Sequence, residues 1–323
     1  MEKLDKINRK ILAILLEDSS AQLSRIGKKV RLSRENVHYR IQRLIKIKVI
    51  TDFVTLIDYS ALGFNQYTVF VEFDRINKSK ESEIIKYLQN QKAISWIGVL
   101  AGNLSITFDL YARTQDELNS TLSTILTKMK ENIGEYSVLN VRESAYFFHK
   151  LIEEKSTTRS QILQKECKVD QTDKGILQQL NESSRKTYVE IGEKLNLTPN
   201  AIKQRVKNLE KAGIIRGYSL SLNHKAFDLE WHGLQIKIEK PSQDIEKKLK
   251  DYFRNDSKTI FYYHYGPSGI YDFDIGVAVH DSSELRDFIN DLRSNFYEEI
   301  KIKNIFLVLE EISSHKLPAI VFS

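Results

Sequence analysis

The feature that most constrains the fold of this chain is an internal repeat. When the sequence is shifted by 165 positions, residues 4–64 align with residues 169–229 without a gap. Fifteen positions are identical, and in the first copy they are Asp5, Ile11, Leu12, Leu15, Glu17, Ser19, Ile26, Gly27, Lys29, Leu32, Arg40, Leu44, Lys46, Ile50 and Ala61. Weaker similarity continues, since GNLSITFDLYARTQDELNS at 102–120 matches GIYDFDIGVAVHDSSELRD at 269–287. Self-similarity at a fixed period means that one structural unit occurs twice.

The first part of each copy predicts three helices and a short β segment. In the first copy apolar residues recur at helical spacing in the runs 4–15, 23–30 and 37–44. Ser33 is a good N-cap for the third helix, and in the second copy Thr198 takes that place with Pro199 at the first helical position. The β segments VITDFVTLID and IIRGYSLSLN follow. Three helices with a β ribbon predict a winged helix-turn-helix domain.

The second part of each copy predicts the order β-α-β-β-α-β, which is typical of a ferredoxin-like sandwich. In the first copy we expect strands near 67–74, 94–100, 104–112 and 136–148, and helices near 80–91 and 115–131. The fold class is therefore α+β, with tandem winged helix-turn-helix domains, each followed by a ferredoxin-like domain. The expected boundaries are winged domain 1–60, sandwich 61–152, linker 153–168, winged domain 169–225 and sandwich 226–323.

Positive charge is concentrated in the two winged domains. The formal charge of the chain is +6, but residues 1–50 carry +8 and residues 168–217 carry +4, which leaves −6 for the remainder. This distribution is typical of a surface that binds a polyanion, although a solvated lysine-rich surface also fits it. The single cysteine excludes an intramolecular disulfide, and MEKLDKINRK lacks a signal-peptide pattern. With no apolar run long enough to span a membrane, we expect a cytoplasmic, nucleoid-associated protein.

The third helix of each copy is the candidate DNA-reading element, because the second helix of a helix-turn-helix motif enters the major groove. Its apolar stripe must face inward, so the remaining faces are available to DNA. Arg34 suits a guanine edge, Gln42 suits adenine, and Tyr39 suits a phosphate or a thymine methyl. Arginine and lysine further along each helix suit phosphates. The residues expected to contact DNA are Ser33, Arg34, His38, Tyr39, Arg40, Gln42, Arg43, Thr198, Asn200, Lys203, Gln204, Arg205 and Lys207.

No catalytic or metal-binding pattern is apparent in the sequence. His38, His264 and His280 have no partner at metal-ligand spacing, so no metal site is expected. Asp272 and Asp274 share one face of a strand without an evident acid or base partner. We find no nucleophile motif and no phosphate-binding glycine loop, and we expect neither a cofactor nor enzymatic activity.

Both copies resemble the Lrp/AsnC family of transcriptional regulators. The resemblance rests on LDKINRKILAILLEDSSAQLSRIGKKVRLSRENVHYRIQRLIKIKVI, on LNLTPNAIKQRVKNLEKAGII and on GIYDFDIGV, which is similar to the family's Gly-x-Tyr-Asp turn. It implies a sequence-specific regulator that binds double-stranded DNA, dimerises through the sandwich domain and responds to an amino acid held near that turn. The implied effector-binding residues are Gly266, Ser268, Gly269, Tyr271 and Asp272.

The two copies differ at the residues of this turn. The first copy has Leu104 and Ser105 where the second has Tyr271 and Asp272, so a ligand would occupy the second copy only. An ordinary β turn explains the glycines equally well.

The alternative function is an enzyme similar to the siroheme decarboxylases, some of which fuse two such units. The sandwich domains also carry alternating apolar residues in YTVFVEF and LQIKIEK, which favours a homodimer.

Overall fold

The structure is a computed structural model that describes residues 4–152, 159–162, 166–266, 269–312 and 316–323. In the first copy the helices and strands are α1 (Lys6–Glu17), α2 (Leu23–Val30), α3 (Arg34–Lys46), β1 (Ile50–Ile57), β2 (Asn65–Phe73), α4 (Lys78–Gln89), β3 (Ile94–Ala101), β4 (Ile106–Ala112), α5 (Gln115–Met129), β5 (Ile133–Asn140), β6 (Glu143–Tyr146) and β7 (Arg159–Ile162). In the second copy they are α6 (Gln171–Glu182), α7 (Tyr188–Leu195), α8 (Pro199–Lys211), β8 (Ile215–Leu222), β9 (Glu230–Ile238), α9 (Gln243–Asn255), β10 (Thr259–His264), β11 (Phe273–Val279), α10 (Ser282–Asn295) and β12 (Ile300–Glu311). The predicted fold class is confirmed.

The turn between the second and third helices depends on a glycine in each copy. A Cβ atom on Gly27 would lie 2.6 Å from the carbonyl oxygen of Leu32, and one on Gly192 would lie 2.5 Å from that of Leu197. Both separations are too short for any side chain, so the turn can pack against the second helix only at glycine. This close approach explains why the glycine is identical in the two copies.

The β ribbon is shared between the copies. Each winged domain contributes one strand, and β1 pairs antiparallel with β8 in a register that places Phe53 opposite Leu220. This pairing differs from the expectation of one ribbon for each copy. The hydroxyl of Thr55 donates to the carbonyl of Leu180 at 2.7 Å, and that of Ser219 donates to the carbonyl of Leu16 at 2.9 Å. Each strand is therefore bonded to the first helix of the other copy.

A serine pair marks the junction of the two winged domains. The hydroxyl oxygens of Ser19 and Ser184 lie 2.7 Å apart and are buried. These two residues occupy the same position in the repeat, so they meet where the copies face each other. The Arg185 guanidinium lies 4.5 Å from the centre of the Phe53 ring and donates to the carbonyl of Ser19. The winged domains thus form one packed body.

The two sandwich domains join through their last strands. In the first copy the strand order is β5-β2-β4-β3, and in the second it is β12-β9-β11-β10, which is the same order of equivalent strands. Strand β12 runs on from β9 to pair with β3, and β6 pairs with β10. The strand expected near 136–148 is thus divided into β5 and β6, which pair with strands of different copies. The four-stranded sheets of the two copies are therefore parts of one ten-stranded sheet. Part of the predicted linker also forms β7, which pairs with β6.

The sheets of the two copies face each other, and helices cover their outer faces. Aromatic pairs fill the interface: the rings of Phe70 and Phe306 lie 6.0 Å apart, and those of Trp96 and Trp231 lie 5.6 Å apart. Helices α4 and α5 cover the first sheet, while α9 and α10 cover the second. The apolar face that led us to expect a homodimer is therefore covered within one chain.

Candidate nucleic-acid interface

Helix α3 presents a polar face to solvent because its apolar residues are buried in the core of the winged domain. Val37, Ile41 and Leu44 are buried against the other two helices. The Ser33 side chain accepts a hydrogen bond from the backbone N–H of Asn36 at 3.2 Å, which fixes the start of the helix. The residues predicted to read or hold DNA that are exposed on this helix are Arg34, His38, Tyr39, Gln42 and Arg43.

Helix α8 repeats this arrangement with different side chains. Ile202, Val206 and Leu209 form its buried stripe. Thr198 caps the helix by accepting from the backbone N–H of Ala201 at 3.2 Å, and Pro199 follows as expected. The exposed residues among those predicted to contact DNA are Asn200, Lys203, Gln204 and Lys207. The caps leave the hydroxyl hydrogens of Ser33 and Thr198 as donors.

One predicted DNA contact in each copy lies in an intramolecular ion pair. The guanidinium of Arg40 binds the Asp5 carboxylate at 2.6 Å and the Asn8 side-chain oxygen at 2.9 Å. Arg205 repeats this arrangement, with 2.8 Å to both Asp170 and Asp173. Because each acid lies at the start of the first helix, these arginines fasten the reading helix to the first helix. Their assignment as phosphate contacts stays a prediction, since a phosphate would have to compete with the carboxylates.

The ion pairs that fasten each reading helix to the first helix, called clamps below, are ionised at neutral pH. The backbone N–H of Asp173 and the guanidinium of Arg205 hold the pKa of Asp170 below its usual value, and the same carboxylates raise the pKa of Arg205. Burial opposes ionisation of Asp5, but its hydrogen bonds to Arg40 and to the backbone of Asn8 leave its pKa lowered. Both clamps are therefore charged wherever DNA binding would be assayed.

Sequence reasoning missed a group of basic residues beside α3. Four exposed side chains of α2 and the following turn carry positive charge: Arg25, Lys28, Lys29 and Arg31. In a helix-turn-helix the first helix of the motif crosses the DNA backbone, so this is where phosphate contacts are expected. The +8 charge of residues 1–50 was the signal that could have identified them.

The predicted effector turn is closely packed. The Asp272 carboxylate is buried, accepting from the backbone N–H of Ile238 at 2.6 Å and pairing with the Lys237 ammonium at 3.2 Å. Lys237 also donates to the carbonyl of Gly269, and the hydroxyl of Tyr271 accepts from Asn304 at 2.9 Å. A lysine ammonium thus stands where a ligand ammonium was expected.

Gly266 and Ser268 are the other two residues predicted to form the effector site. Gly266 has a left-handed φ of 81°, and a Cβ atom there would lie 2.8 Å from the Arg142 side chain, so this position favours glycine. Ser268 lies outside the described residues. The effector assignment therefore stays a prediction.

The first copy explains what Asp272 does in the absence of any ligand. There Ser105 accepts from the backbone N–H of Phe73 at 3.0 Å. Phe73 and Ile238 occupy equivalent positions at the ends of β2 and β9. Aspartate and serine therefore satisfy the same backbone donor in the two copies, and only the aspartate brings a charge.

The described residues contain neither a metal centre nor a membrane-spanning helix. No group of three or more His, Cys, Asp or Glu is placed to hold a metal ion. Within the same residues, no helix has the length and apolar character needed to cross a membrane.

Comparisons with known proteins identify both winged domains. Residues 4–45 match the AsnC-type helix-turn-helix domain, and residues 169–216 match a winged helix-turn-helix DNA-binding domain. An uncharacterised HTH-type transcriptional regulator of Pyrococcus furiosus is 30% identical over 148 residues, which are 44% of this chain and 92% of that protein. One from Pyrococcus horikoshii is 32% identical over 148 residues, with the same coverage. Each relative thus corresponds in length to roughly one of the two copies.

Among solved structures, the siroheme decarboxylase NirDL matches both copies at once. Its TM-score is 0.68, and the match covers 97% of this chain and 94% of that one. The sequence identity is 13%, so the likeness is one of fold.

Proposed function

Because the chain belongs to the Lrp/AsnC family of helix-turn-helix transcriptional regulators, we propose that α3 and α8 bind double-stranded DNA at the same time. The observation that carries this proposal is the shared β1–β8 ribbon, which holds the two reading helices in one packed body. The Ser19–Ser184 contact supports the same geometry, as do the hydrogen bonds from each ribbon strand to the first helix of the other copy. A regulator that normally needs two chains to present two reading helices would here present them from one.

The two reading helices carry different side chains, so the DNA site should be asymmetric. His38, Tyr39 and Gln42 in α3 stand where α8 has Lys203, Gln204 and Lys207. Two lysines suit phosphates, whereas the first set suits base edges and a thymine methyl. We infer an operator with two unlike half-sites at a fixed spacing.

Selection of bound sequences from a random duplex pool tests this function. We expect recovered sites to contain two different half-sites at one spacing. Arg34→Ala should relax the sequence preference in one half and Asn200→Ala in the other, which makes the two variants matched controls for each other. Recovery of a palindrome, or of a single half-site with random flanks, would contradict the proposal.

We propose that an amino-acid effector, if bound, engages the turn of the second copy. Its ammonium group would compete with the Lys237 side chain for Asp272, because two ammonium groups held against one buried carboxylate repel each other. Calorimetry against the standard amino acids should then show one site per chain, with tighter binding in Lys237→Met than in the unmodified protein. Tighter binding is expected because the competing ammonium is gone. Binding that is unchanged in both Lys237→Met and Asp272→Asn would exclude this turn.

The homodimer stays a prediction. Exposed apolar side chains outside the inter-sheet core include Tyr136, Ile270, Ile305 and Leu309, which offer apolar area for a further contact. Measurement of the mass in solution at micromolar concentration tests it, and a mass equal to one chain would refute the dimer.

The enzymatic alternative rests on the fold shared with NirDL. Titration with an iron tetrapyrrole distinguishes it from the regulator. A regulator should leave the visible spectrum of the tetrapyrrole unchanged, whereas a saturable shift of its bands would favour the enzyme.

A further inference from the structure

A cavity lies between the two facing sheets, and its described lining includes none of the residues predicted to contact DNA or the effector. Its volume is about 20 Å³, and its wall includes Thr107, Trp231 and Asp274. One water molecule needs roughly 10–15 Å³, so a group of that size fits with room to spare. Because residues of both copies line it, the cavity exists only in the assembled pair of sheets.

Polar atoms on the cavity wall lack partners. Within the described part of the chain, no hydrogen-bond partner is found for Thr107 Oγ1, Trp231 Nε1 or Asp274 Oδ1. All three residues are at least nine-tenths buried, with exposed fractions of 2%, 5% and 5%. Buried polar atoms are almost always hydrogen-bonded, since an unpaired one costs roughly 1–3 kcal/mol. Thr107 Oγ1 and Asp274 Oδ1 can each accept a hydrogen bond, so a bound donor would complete both, whereas the Trp231 N–H is itself a donor and is not satisfied by such a group.

A second carboxylate in the same inter-sheet core provides the contrast. Asp109 accepts from the hydroxyl of Thr68 at 3.0 Å and from that of Tyr263 at 3.3 Å. The Tyr263 oxygen also lies 3.0 Å from that of Tyr146. The protein's own side chains complete the network around Asp109, whereas Asp274 Oδ1 has no such partner among the described residues.

The chemistry of the wall favours a cation. Its aromatic side chains include Trp96, Trp231, Phe261 and Phe306, and among the described residues that line the cavity none is a lysine, arginine or histidine. Ring faces attract cations, most strongly where water is excluded. Burial, and secondarily the charge of Asp109, raises the pKa of Asp274 well above its usual range. Such a carboxyl is neutralised either by a proton or by a cation placed against it.

We propose that the inter-sheet cavity binds a small protonated amine, of the size of ammonium or methylammonium, against Asp274. The ammonium group donates to Asp274 Oδ1 and Thr107 Oγ1, and the faces of the surrounding aromatic rings enclose its remaining surface. This site does not involve the proposed DNA contacts. Asp274 follows Asp272 of the predicted effector turn by two residues, so the test substitutes Asp274 and leaves Asp272 in place, which keeps the two assignments distinguishable.

Intrinsic fluorescence reports on this cavity specifically, because the chain has two tryptophans and both line it. The full-length protein is titrated with methylammonium chloride and with ammonium chloride, and sodium chloride at equal ionic strength is the reference. We expect a saturable fluorescence change with the amines alone. Asp274→Asn should weaken the apparent affinity at least tenfold, while Asp287→Asn, on the exposed face of α10, should leave it unchanged.

Thr107→Val provides a second variant if Asp274→Asn does not fold, and it should weaken binding several-fold because one acceptor is lost. Equal responses to sodium and to the amines, or equal amine affinity in the unmodified protein and these variants, would overturn the proposal. The absence of any saturable response in the unmodified protein would show that the cavity holds water only.

Discussion

Arg40 could either fasten α3 to α1 through Asp5 or contact a DNA phosphate, and one experiment distinguishes these two roles. If Arg40 chiefly fastens α3 to α1, Arg40→Ala should lower the free energy of unfolding and leave the number of DNA phosphate contacts unchanged. The Arg40 and Asp5 side chains are 27% and 50% exposed, so the ion pair contributes only about 0.2–1 kcal/mol. Adding a modest contribution from the hydrogen bond to Asn8 gives a total of about 1 kcal/mol.

Two measurements check this prediction. Urea unfolding should give the loss of about 1 kcal/mol, and DNA binding across a series of salt concentrations gives the number of phosphates contacted. Each lost phosphate contact reduces the slope of log K against log salt by about 0.9. Arg40→Ala should keep the slope of the unmodified protein, whereas Arg43→Ala, the matched control one turn along the helix, should reduce it by about that amount.

Asp5→Asn sharpens the experiment because asparagine is also a good N-cap, so only the charge is removed. The double variant Asp5→Asn, Arg40→Ala should lose less stability than the sum of the single losses. The folded-state pKa of Asp5 is lowered, so the contribution of this pair is present above the usual aspartate range and is lost as the pH falls through the lowered value. A reduced salt slope in Arg40→Ala with unchanged stability would refute the clamp.

Three other predictions concern the DNA-reading residues Arg34 and Asn200, the Ser19–Ser184 contact, and Asp274. Arg34→Ala and Asn200→Ala should each change sequence preference by roughly 1–3 kcal/mol at particular base pairs, and binding to a panel of single-base variants measures this. Ser184→Ala should cost about 1–3 kcal/mol because it leaves the Ser19 hydroxyl buried without this partner, and adding Ser19→Ala should restore part of that loss in urea unfolding. In the absence of an amine, the raised pKa of Asp274 means that ionising this carboxyl destabilises the fold as the pH rises above the usual aspartate range. Asp274→Asn should therefore flatten the decline of thermal stability with rising pH.

The sequence predicted the local structure well because the relevant signals are local. The stripe of Val37, Ile41 and Leu44 and the cap at Ser33 specify α3 without reference to any distant residue. The repeat then predicted α8 with the same stripe and a Thr198 cap. The strand and helix order of the sandwich domains followed for the same reason.

The pairing of β1 with β8 could not be read from the sequence. A single strand flanked by turns has the same pattern whether its partner is its neighbour or lies 165 residues away, since register depends on which buried faces meet. The division of the expected strand near 136–148 into β5 and β6 has the same origin. Each piece pairs with strands of a different copy, and only the assembled pair of copies determines which.

The roles of individual polar residues were the least predictable. Arg40 carries the same positive charge whether it faces a phosphate or Asp5, and only the fold decides between them. The repeat did contain a signal, because Asp5 and Arg40 are both identical in the two copies. An acid and a base retained together within a duplicated unit indicate an internal pair.

The shared ribbon also changes how occupancy of DNA would depend on the amount of protein. Two separate chains that must pair before binding lose their partner on dilution, so occupancy falls with the square of the chain concentration. Here the β1–β8 pairing is intramolecular and survives any dilution that leaves the chain folded. Occupancy of the DNA site should then follow the first power of the chain concentration. Even at a few molecules per cell, each chain would carry both reading helices in position to bind.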